Sequence, residues 1–269
     1  MKPQSLALAA RALIVCANNV GAQSSTSQTA PNSSSISTIY VTALTKKGLV
    51  TTDLKSGDLD LFVDKVPAKI KNIKCGRSEP VIVGILADTS GSRRDDPSLP
   101  GHYDALNSFL SKLPGSEDRA YVVAFNDSPF AMSDPTADPA ALSTDFENLK
   151  KSRRFGSTAL YDAIKASAKA NFFGRPGRHI IIVGDWEDNS SRASLEVTST
   201  IAQKSAAAVY AIVDGGRGSS NNTKTHKRGL QAAERITKET GGFLCDVEDK
   251  RFCESLVGDR ERDPGFLQD

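Results

Sequence analysis

Short apolar runs alternate with stretches of helical periodicity along most of the sequence after residue 79. Five runs are predicted to be buried strands, at residues 81–87, 121–125, 180–183, 209–213 and 243–245. Near-continuous apolar runs of this kind are typical of strands that are covered on both faces. Residues 129–132, which closely follow the second run, predict an additional antiparallel strand at the edge of the sheet.

Amphipathic helices are predicted between these strands, because apolar residues recur three or four positions apart. Their apolar faces are formed by Leu106, Phe109, Leu110 and Leu113, by Leu160, Ile164 and Ala168, by Leu195, Thr198, Ile201 and Ala202, and by Leu230, Ala233, Ile236 and Thr237. Gly241 and Gly242 predict the end of the last helix. Alternating strands and helices predict an α/β fold, a Rossmann-like, doubly wound and mostly parallel central sheet with helices on both faces.

The pattern is different before residue 79. Alternation at residues 39–43 and 59–63, with a glycine turn at residues 46–48, predicts a small antiparallel β unit across residues 38–78. We expect this short unit to pack on the chain after residue 78 or on a partner, because it is small for an independent domain. Residues 23–38 contain ten Ser or Thr and no charge, so residues 23–37 are predicted to be a flexible linker.

The first 22 residues are interpreted as a secretory signal peptide. Lys2 and Arg11 are followed by an apolar stretch, which ends in the small residues Val20, Gly21 and Ala22. The competing interpretation is a disordered cytosolic N-terminus. The predicted organisation is therefore a signal peptide at 1–22, a linker at 23–37, a β module at 38–78, an α/β domain at 79–258 and a C-terminal tail at 259–269.

Composition removes several classes of protein. The 269 residues include 34 Lys or Arg and 32 Asp or Glu, and loss of Lys2 and Arg11 with the signal peptide balances the charges. A neutral chain has no global attraction to nucleic acid or anionic lipid. No apolar run reaches the 18 residues of a membrane span. The three histidines have no ligand spacing, and the motifs of zinc enzymes, α/β-hydrolases and dinucleotide dehydrogenases are absent from the sequence.

Oxygen-bearing side chains follow the predicted strands at places where the fold would bring them together. Strand carboxyl ends in an open α/β sheet meet at one edge, where ligands bind. Hydroxyl and carboxylate oxygens are hard ligands of the kind that Mg²⁺ prefers. The residues are Asp88, Ser90 and Ser92 after the first strand, Thr158 in the loop before the second predicted helix, and Asp185 after the third strand.

The Asp-x-Ser-x-Ser string at residues 88–92, together with Thr158 and Asp185, resembles the von Willebrand factor type A (VWA) family and its metal-ion-dependent adhesion site (MIDAS). The resemblance extends over about residues 80–257, and the β unit before it is similar to the N-terminal extension of secreted bacterial relatives. It implies that Asp88, Ser90, Ser92, Thr158 and Asp185 share one Mg²⁺ or Mn²⁺. In the family the serines bind directly and the aspartates often act through water, so the ion stays electrophilic.

The resemblance implies a metal-dependent, adhesion-type binding module, which captures an acidic side chain of a protein partner. It further implies a secreted, periplasmic or cell-envelope protein that is not an enzyme. Two alternatives stay open, a metal-assisted hydrolase and a scaffold subunit with a non-functional metal site. Against the hydrolase, Glu187 and Asp188 are the only nearby candidates for a base, and neither follows a recognised catalytic pattern.

The sequence departs from the family pattern at two places. Trp186, the only tryptophan, follows Asp185 and would either narrow the opening of the metal site or pack as core. The charged residues after Ser92 are interpreted as a solvated cluster or as a basic lip that attracts an acidic partner. These charged residues are Arg93, Arg94, Asp95 and Asp96.

Other residues keep open roles. Asp162 is predicted to complement the dipole of its helix. Asp127 is interpreted either as a turn residue or as a residue that contacts the ligands of the ion without binding the ion itself. If the protein is exported, Cys245 can pair with Cys253, while a pair of Cys75 with either of them is equally compatible with the sequence.

Overall fold

The structure is a computed structural model, which describes residues 54–63, 65–74, 80–97, 99–111, 117–170, 177–213 and 223–246. The predicted signal peptide, the linker, the strand at residues 39–43 and the C-terminal tail lie outside the described residues. The same holds for Cys75 and Cys253. No helix in the described ranges is long and apolar enough to span a membrane.

Strands and helices alternate as the apolar pattern predicts. The strands are β1 (Leu61–Val63), β2 (Val66–Ala68), β3 (Ile82–Asp88), β4 (Arg119–Phe125), β5 (Pro129–Ala131), β6 (Arg178–Gly184), β7 (Ala207–Val213) and β8 (Leu244–Asp246). The helices are α1 (Leu99–Leu110), α2 (Pro139–Lys151), α3 (Leu160–Lys169), α4 (Leu195–Lys204) and α5 (Lys224–Thr240).

The main sheet has six strands in the order β5-β4-β3-β6-β7-β8. Strands β4, β3, β6, β7 and β8 run parallel to their neighbours, while β5 pairs antiparallel with β4. This arrangement confirms the predicted α/β fold and its antiparallel edge. Strand β3 lies between β4, which follows it in sequence, and β6. The next strand in sequence, β4, thus lies on one side of β3, and the later strand β6 lies on the other. This reversal of the strand order creates a crevice at the carboxyl end of β3.

Helices cover both faces of this sheet. On β3, Leu86 faces the cluster formed with α3, α4 and α5, while Ile85 faces the cluster formed with α1 and α2. All seven residues of β3 are buried. Central parallel strands are apolar on both sides for this reason, and the rigid sheet fixes the position of the loop that follows β3.

Helix α2 is missing from the sequence-based prediction. Asp138 caps it by accepting a hydrogen bond from Ala140 N, and Pro139 occupies the first turn. Both residues are helix start signals. The buried residues Leu142, Phe146 and Leu149 have helical spacing, so the signal was present in the sequence.

A buried arginine binds backbone carbonyls at the edge of the sheet opposite the crevice. Arg178, at the start of β6, is 4% exposed. Its guanidinium donates to Ser167 O at 2.8 Å, to Ala168 O at 3.1 Å and to Ser205 O at 3.3 Å. Arg178 thereby adds hydrogen bonds to carbonyls at the C-terminal ends of α3 and α4, where intrahelical donors run out; one of them, Ser167 O, also accepts from Ala170 N.

Strands β1 and β2 form a separate two-stranded antiparallel sheet. Leu61 lies opposite Ala68 and Val63 lies opposite Val66. The small antiparallel unit predicted before the α/β domain is therefore present. The glycine turn at residues 46–48 lies outside the described residues.

Candidate metal centre

The loop after β3 places its three oxygen-bearing residues at different depths. Asp88 is 1% exposed, and its Oδ1 accepts a hydrogen bond from Ser90 N at 2.8 Å. A short 3₁₀ turn, Gly91–Arg93, comes next. Asp88 and Ser90 are consequently buried, whereas Ser92 is exposed.

A chain of hydrogen bonds connects this loop with the one after β6. Ser90 Oγ and Ser92 Oγ lie 3.0 Å apart, and Ser92 Oγ donates to Asp185 Oδ2 at 2.9 Å. The other oxygen, Asp185 Oδ1, accepts from Glu187 N at 3.0 Å. Four of the five predicted ligands are therefore linked within one continuous cluster of oxygen atoms.

Negative charge accumulates in this cluster. The pKa of Asp88 is raised to about 7, first by burial and next by the negative charge of Asp185, which together outweigh the lowering effects of the Ser90 hydrogen bonds and of the positive charge of Arg93. Asp88 also packs directly on β6, because a Cβ at Gly184 would lie 3.0 Å from Asp88 Cβ. Two carboxylates held this close favour either a shared proton or a cation.

Thr158, the fifth predicted ligand, belongs to a loop that contacts both the loop after β3 and the loop after β6. Thr158 N donates to Asn189 Oδ1 at 2.8 Å, and Thr158 O accepts from Asn189 N and Ser190 N. Thr158 is buried. These backbone contacts bring it to the same sheet edge as Asp185.

Residues 155–157 are held against the loop after β3. Phe155 N donates to Thr89 O at 3.2 Å, and Gly91 N donates to Gly156 O at 3.1 Å. Asp127 Oδ1 accepts from Ser157 N at 2.7 Å. Gly156 has a φ of 79°, and a Cβ there would lie 2.4 Å from Asp127 Oδ2. Asp127 therefore anchors this loop.

Trp186 packs as core. It is 1% exposed and belongs to the cluster beneath α3, α4 and α5. Its φ of 61° is a left-handed conformation that bulky residues seldom adopt. A Cβ at Gly229 of α5 would lie only 2.8 Å from Trp186 O. Of the two interpretations, the structural role is the one observed.

The four charged residues after Ser92 are not one solvated cluster. Arg93 and Asp96 form a buried ion pair, with Nη2 and Oδ2 2.5 Å apart and side chains 2% and 5% exposed. Arg94 and Asp95 are exposed. Only Arg94 is placed as a basic lip.

The two candidates for a base differ in their surroundings. Asp188 accepts hydrogen bonds from Tyr161 N and Ser191 Oγ, which ties it to the start of α3. Burial raises the pKa of Glu187, and the negative charge of Asp185 adds to this effect, whereas His226 opposes it. Glu187 is half-buried.

Asp162 does more than complement a helix dipole. Its carboxylate accepts from Arg192 N at 2.8 Å and from Ala193 N at 3.2 Å, and it pairs with Lys165 Nζ at 2.7 Å. Asp162 N donates to Ser191 Oγ at 3.0 Å. Helix α3 is thus fastened to the loop that carries Asp185.

Cys245, on β8, is disulfide-bonded. The other cysteine of that bond lies outside the described residues.

The donor set fits a hard divalent cation. Within the described ranges, no group of three or more His, Cys, Asp or Glu side chains is placed to hold a metal ion. A cation at this edge therefore depends on the hydroxyls of Ser90, Ser92 and Thr158 as well as on the carboxylates. Such mixed oxygen ligands suit Mg²⁺ and Mn²⁺, and a cation would relieve the repulsion between Asp88 and Asp185.

Residues 83–187 match the family model described as "von Willebrand factor type A domain". The match lies within the predicted α/β domain and agrees with the resemblance carried by Asp88, Ser90, Ser92, Thr158 and Asp185. No curated protein matches the sequence.

Solved structures share the fold. The conserved hypothetical protein BatB from Bacteroides thetaiotaomicron is 18% identical and superposes with a TM-score of 0.50 over 68% of this chain and all of its own. A von Willebrand factor type A protein from Catenulispora acidiphila is 15% identical, with a TM-score of 0.53 over 69% of this chain and 42% of its own. The pilus adhesin SpaC from Lactobacillus rhamnosus GG is 13% identical, with a TM-score of 0.51 over 69% of this chain and 30% of its own.

Proposed function

We propose that this protein is a metal-dependent binding module that captures an acidic side chain of a protein partner. VWA domains commonly mediate interactions between proteins. The observation that carries the proposal is the hydrogen-bonded chain from Ser90 through Ser92 to Asp185, beside the buried carboxylate of Asp88. The proposed ligands are Asp88, Ser90, Ser92, Thr158 and Asp185, and the proposed ion is Mg²⁺ or Mn²⁺.

The proposal is supported by the hydrogen bonds that hold the proposed ligands in place. Ser92 Oγ donates a hydrogen bond to Asp185 Oδ2, and beside the contact with Ser90 Oγ this leaves one of its lone pairs for a metal. Asp88 is held by Ser90 N and cannot swing into solvent. A bound divalent ion would supply a positive charge that a carboxylate from outside can ligate. Ser92 is the exposed member of the cluster, so a partner would approach from its side.

In this proposal the protein binds its partner and does not catalyse a reaction. Asp188, one of the two nearby acids, is engaged at the start of α3. A metal-assisted hydrolase remains the alternative of a different class, and an assay panel with Mg²⁺ or Mn²⁺ separates the two. Turnover that is lost in Asp88→Ala would favour the enzyme.

The proposed location is outside the cytosol, in the secreted, periplasmic or cell-envelope fraction. The disulfide at Cys245 supports it, because disulfides persist mainly in oxidising compartments. Fractionation of the native cell tests this location, and finding the mature chain in the cytosol would contradict it.

Calorimetric titration of the full chain with MgCl₂ and MnCl₂ tests the metal site. We expect saturable binding by the wild type, and loss of binding in Ser90→Ala and Asp185→Asn. Ser111→Ala is the matched control, because Ser111 lies at the exposed end of α1, where its hydroxyl donates to Ser108 O. If the wild type bound neither Mg²⁺ nor Mn²⁺, the proposal would be wrong, and the alternative of a scaffold subunit with a non-functional metal site would be favoured.

A further inference from the structure

Phe155 is an aromatic residue that is held in solvent at the border of the candidate metal centre. Its side chain is 51% exposed. The adjoining backbone is fixed, because Phe155 N donates to Thr89 O and Gly156 O accepts from Gly91 N. Thr89 and Gly91 are the two neighbours of Ser90. The phenyl group therefore projects from the rim of the oxygen cluster.

Folding of this loop does not require the phenyl ring. Its shape is set by backbone bonds, by Gly156 at a positive φ and by the contact of Ser157 N with Asp127. An exposed aromatic ring on a fixed backbone has little freedom to lose when a partner covers it. Rigid aromatic residues of this kind carry much of the binding energy of protein interfaces.

The charges around Phe155 indicate the chemistry of the partner. Arg153 lies two residues before it, and Arg94 follows the turn that carries Ser92, and both side chains are exposed. Exposed cations favour an acidic approach and disfavour a basic one. The negative charges of Asp95 and of Asp127, which holds the backbone of Ser157, are also exposed and oppose this attraction. The acidic group is therefore expected at Ser92, where the proposed cation would supply the positive charge.

We propose that Phe155 is a specificity-determining contact, and that the partner presents an Asp or Glu with an apolar or aromatic residue within two positions of it. The acid goes to the cation, and the neighbouring apolar side chain packs on the Phe155 ring. This inference rests on the proposed function, since it takes the metal centre as the place where the acid binds.

Selection from a phage-displayed library of random heptapeptides tests the inference. The full chain is immobilised in Mg²⁺, and bound phage are eluted with EDTA. We expect peptides in which Asp or Glu is accompanied by Phe, Tyr, Trp or Leu within two positions. Acidic peptides without such a neighbour would overturn the role of Phe155 and leave the metal-dependent capture of acids intact. An empty selection, or peptides that EDTA does not release, would overturn both.

The second test compares the peptide affinity of Phe155 variants with that of the wild type. A synthetic copy of the most enriched peptide is expected to bind Phe155→Ala about tenfold or more weakly than the wild type, with Phe155→Leu in between. Phe62→Ala is the matched control, since Phe62 is 48% exposed on the separate sheet of β1 and β2. Mg²⁺ binding of Phe155→Ala should be unchanged. Equal peptide affinity of Phe155→Ala and wild type would overturn the inference.

Discussion

Ser92 Oγ donates a hydrogen bond of 2.9 Å to Asp185 Oδ2, although the two residues are 93 positions apart in sequence. One belongs to the loop after β3 and the other to the loop after β6, which are adjacent parallel strands. The sheet register therefore sets the distance between them. This hydrogen bond joins the two loops directly, so the candidate ligands Ser92 and Asp185 lie side by side.

Substitution of Asp185 by asparagine should change stability only when metal is present. In EDTA we expect an equal or slightly higher melting temperature, because a negative charge beside buried Asp88 is removed. At Mg²⁺ one hundred times above its Kd, the wild type should gain about 2.7 kcal/mol of unfolding free energy, and Asp185→Asn should gain none. Thermal unfolding with and without Mg²⁺ measures both effects. Strong destabilisation of the variant in EDTA would instead assign Asp185 a structural role.

Substitution of Gly229 by alanine should disturb the candidate centre from a distance. The new methyl group would lie 2.8 Å from Trp186 O and 3.2 Å from Asp185 O. We expect a loss of about 1–3 kcal/mol in unfolding free energy from overpacking, together with weaker Mg²⁺ binding. Denaturant unfolding and calorimetry measure the two effects.

Gly101→Ala is the control for that substitution. Gly101 lies in α1, and a Cβ there meets no atom within 4 Å. Alanine should be neutral or stabilising by up to about 1 kcal/mol. If both variants behaved alike, the close approach of α5 to Trp186 would have no energetic consequence.

Replacing Arg178 by methionine should be among the costly substitutions in this chain. It removes three buried hydrogen bonds at the ends of α3 and α4, although Ser167 O still accepts from Ala170 N. We expect the unfolding free energy to fall by about 2–4 kcal/mol, with Mg²⁺ binding of the folded fraction retained. Arg228→Met, at an exposed position of α5, should stay within about 0.5 kcal/mol of the wild type. A small effect of Arg178→Met in urea unfolding would show that water replaces the guanidinium.

The contribution of Asp162 to stability should depend on pH. Partial burial acts to raise its pKa, but hydrogen bonds from Lys165, Arg192 N and Ala193 N outweigh burial and lower it below 3.8. A group whose pKa is lower in the folded state stabilises the protein above its unfolded pKa, and this contribution disappears as the pH falls through the folded pKa. Asp162→Asn should therefore be destabilising at pH 7, by about 1 kcal/mol, and the difference from wild type should shrink below pH 4. A difference that is independent of pH would contradict this assignment.

The sequence predicted the parallel sheet because its central strands are apolar on both faces, as the burial of every residue in β3 shows. It also predicted that Asp88 and Asp185 lie at the same edge of the sheet, since ligand-bearing loops gather at the carboxyl ends of parallel strands. The structure brings the two residues together. Whether they bind a metal stays a prediction.

Features that depend on long-range packing were not available from the sequence. Arg93 and Asp96 read as solvated charges, yet their pair is buried. The choice between the two roles of Trp186 depended on α5, whose Gly229 lies against the Trp186 carbonyl. In both cases the deciding neighbour is tertiary. Helix α2 is different, because Asp138, Pro139 and the spacing of its apolar residues were readable in advance.

The burial of Trp186 gives the protein an internal fluorophore. It is the only tryptophan in the chain, and it directly follows Asp185 with its indole enclosed in the core. Emission from this single ring therefore comes from the loop that would respond to an ion, without any label. A titration in an ordinary fluorimeter can thus follow the loop at low protein concentration, and quenching by acrylamide can show whether the indole stays shielded while a ligand is bound.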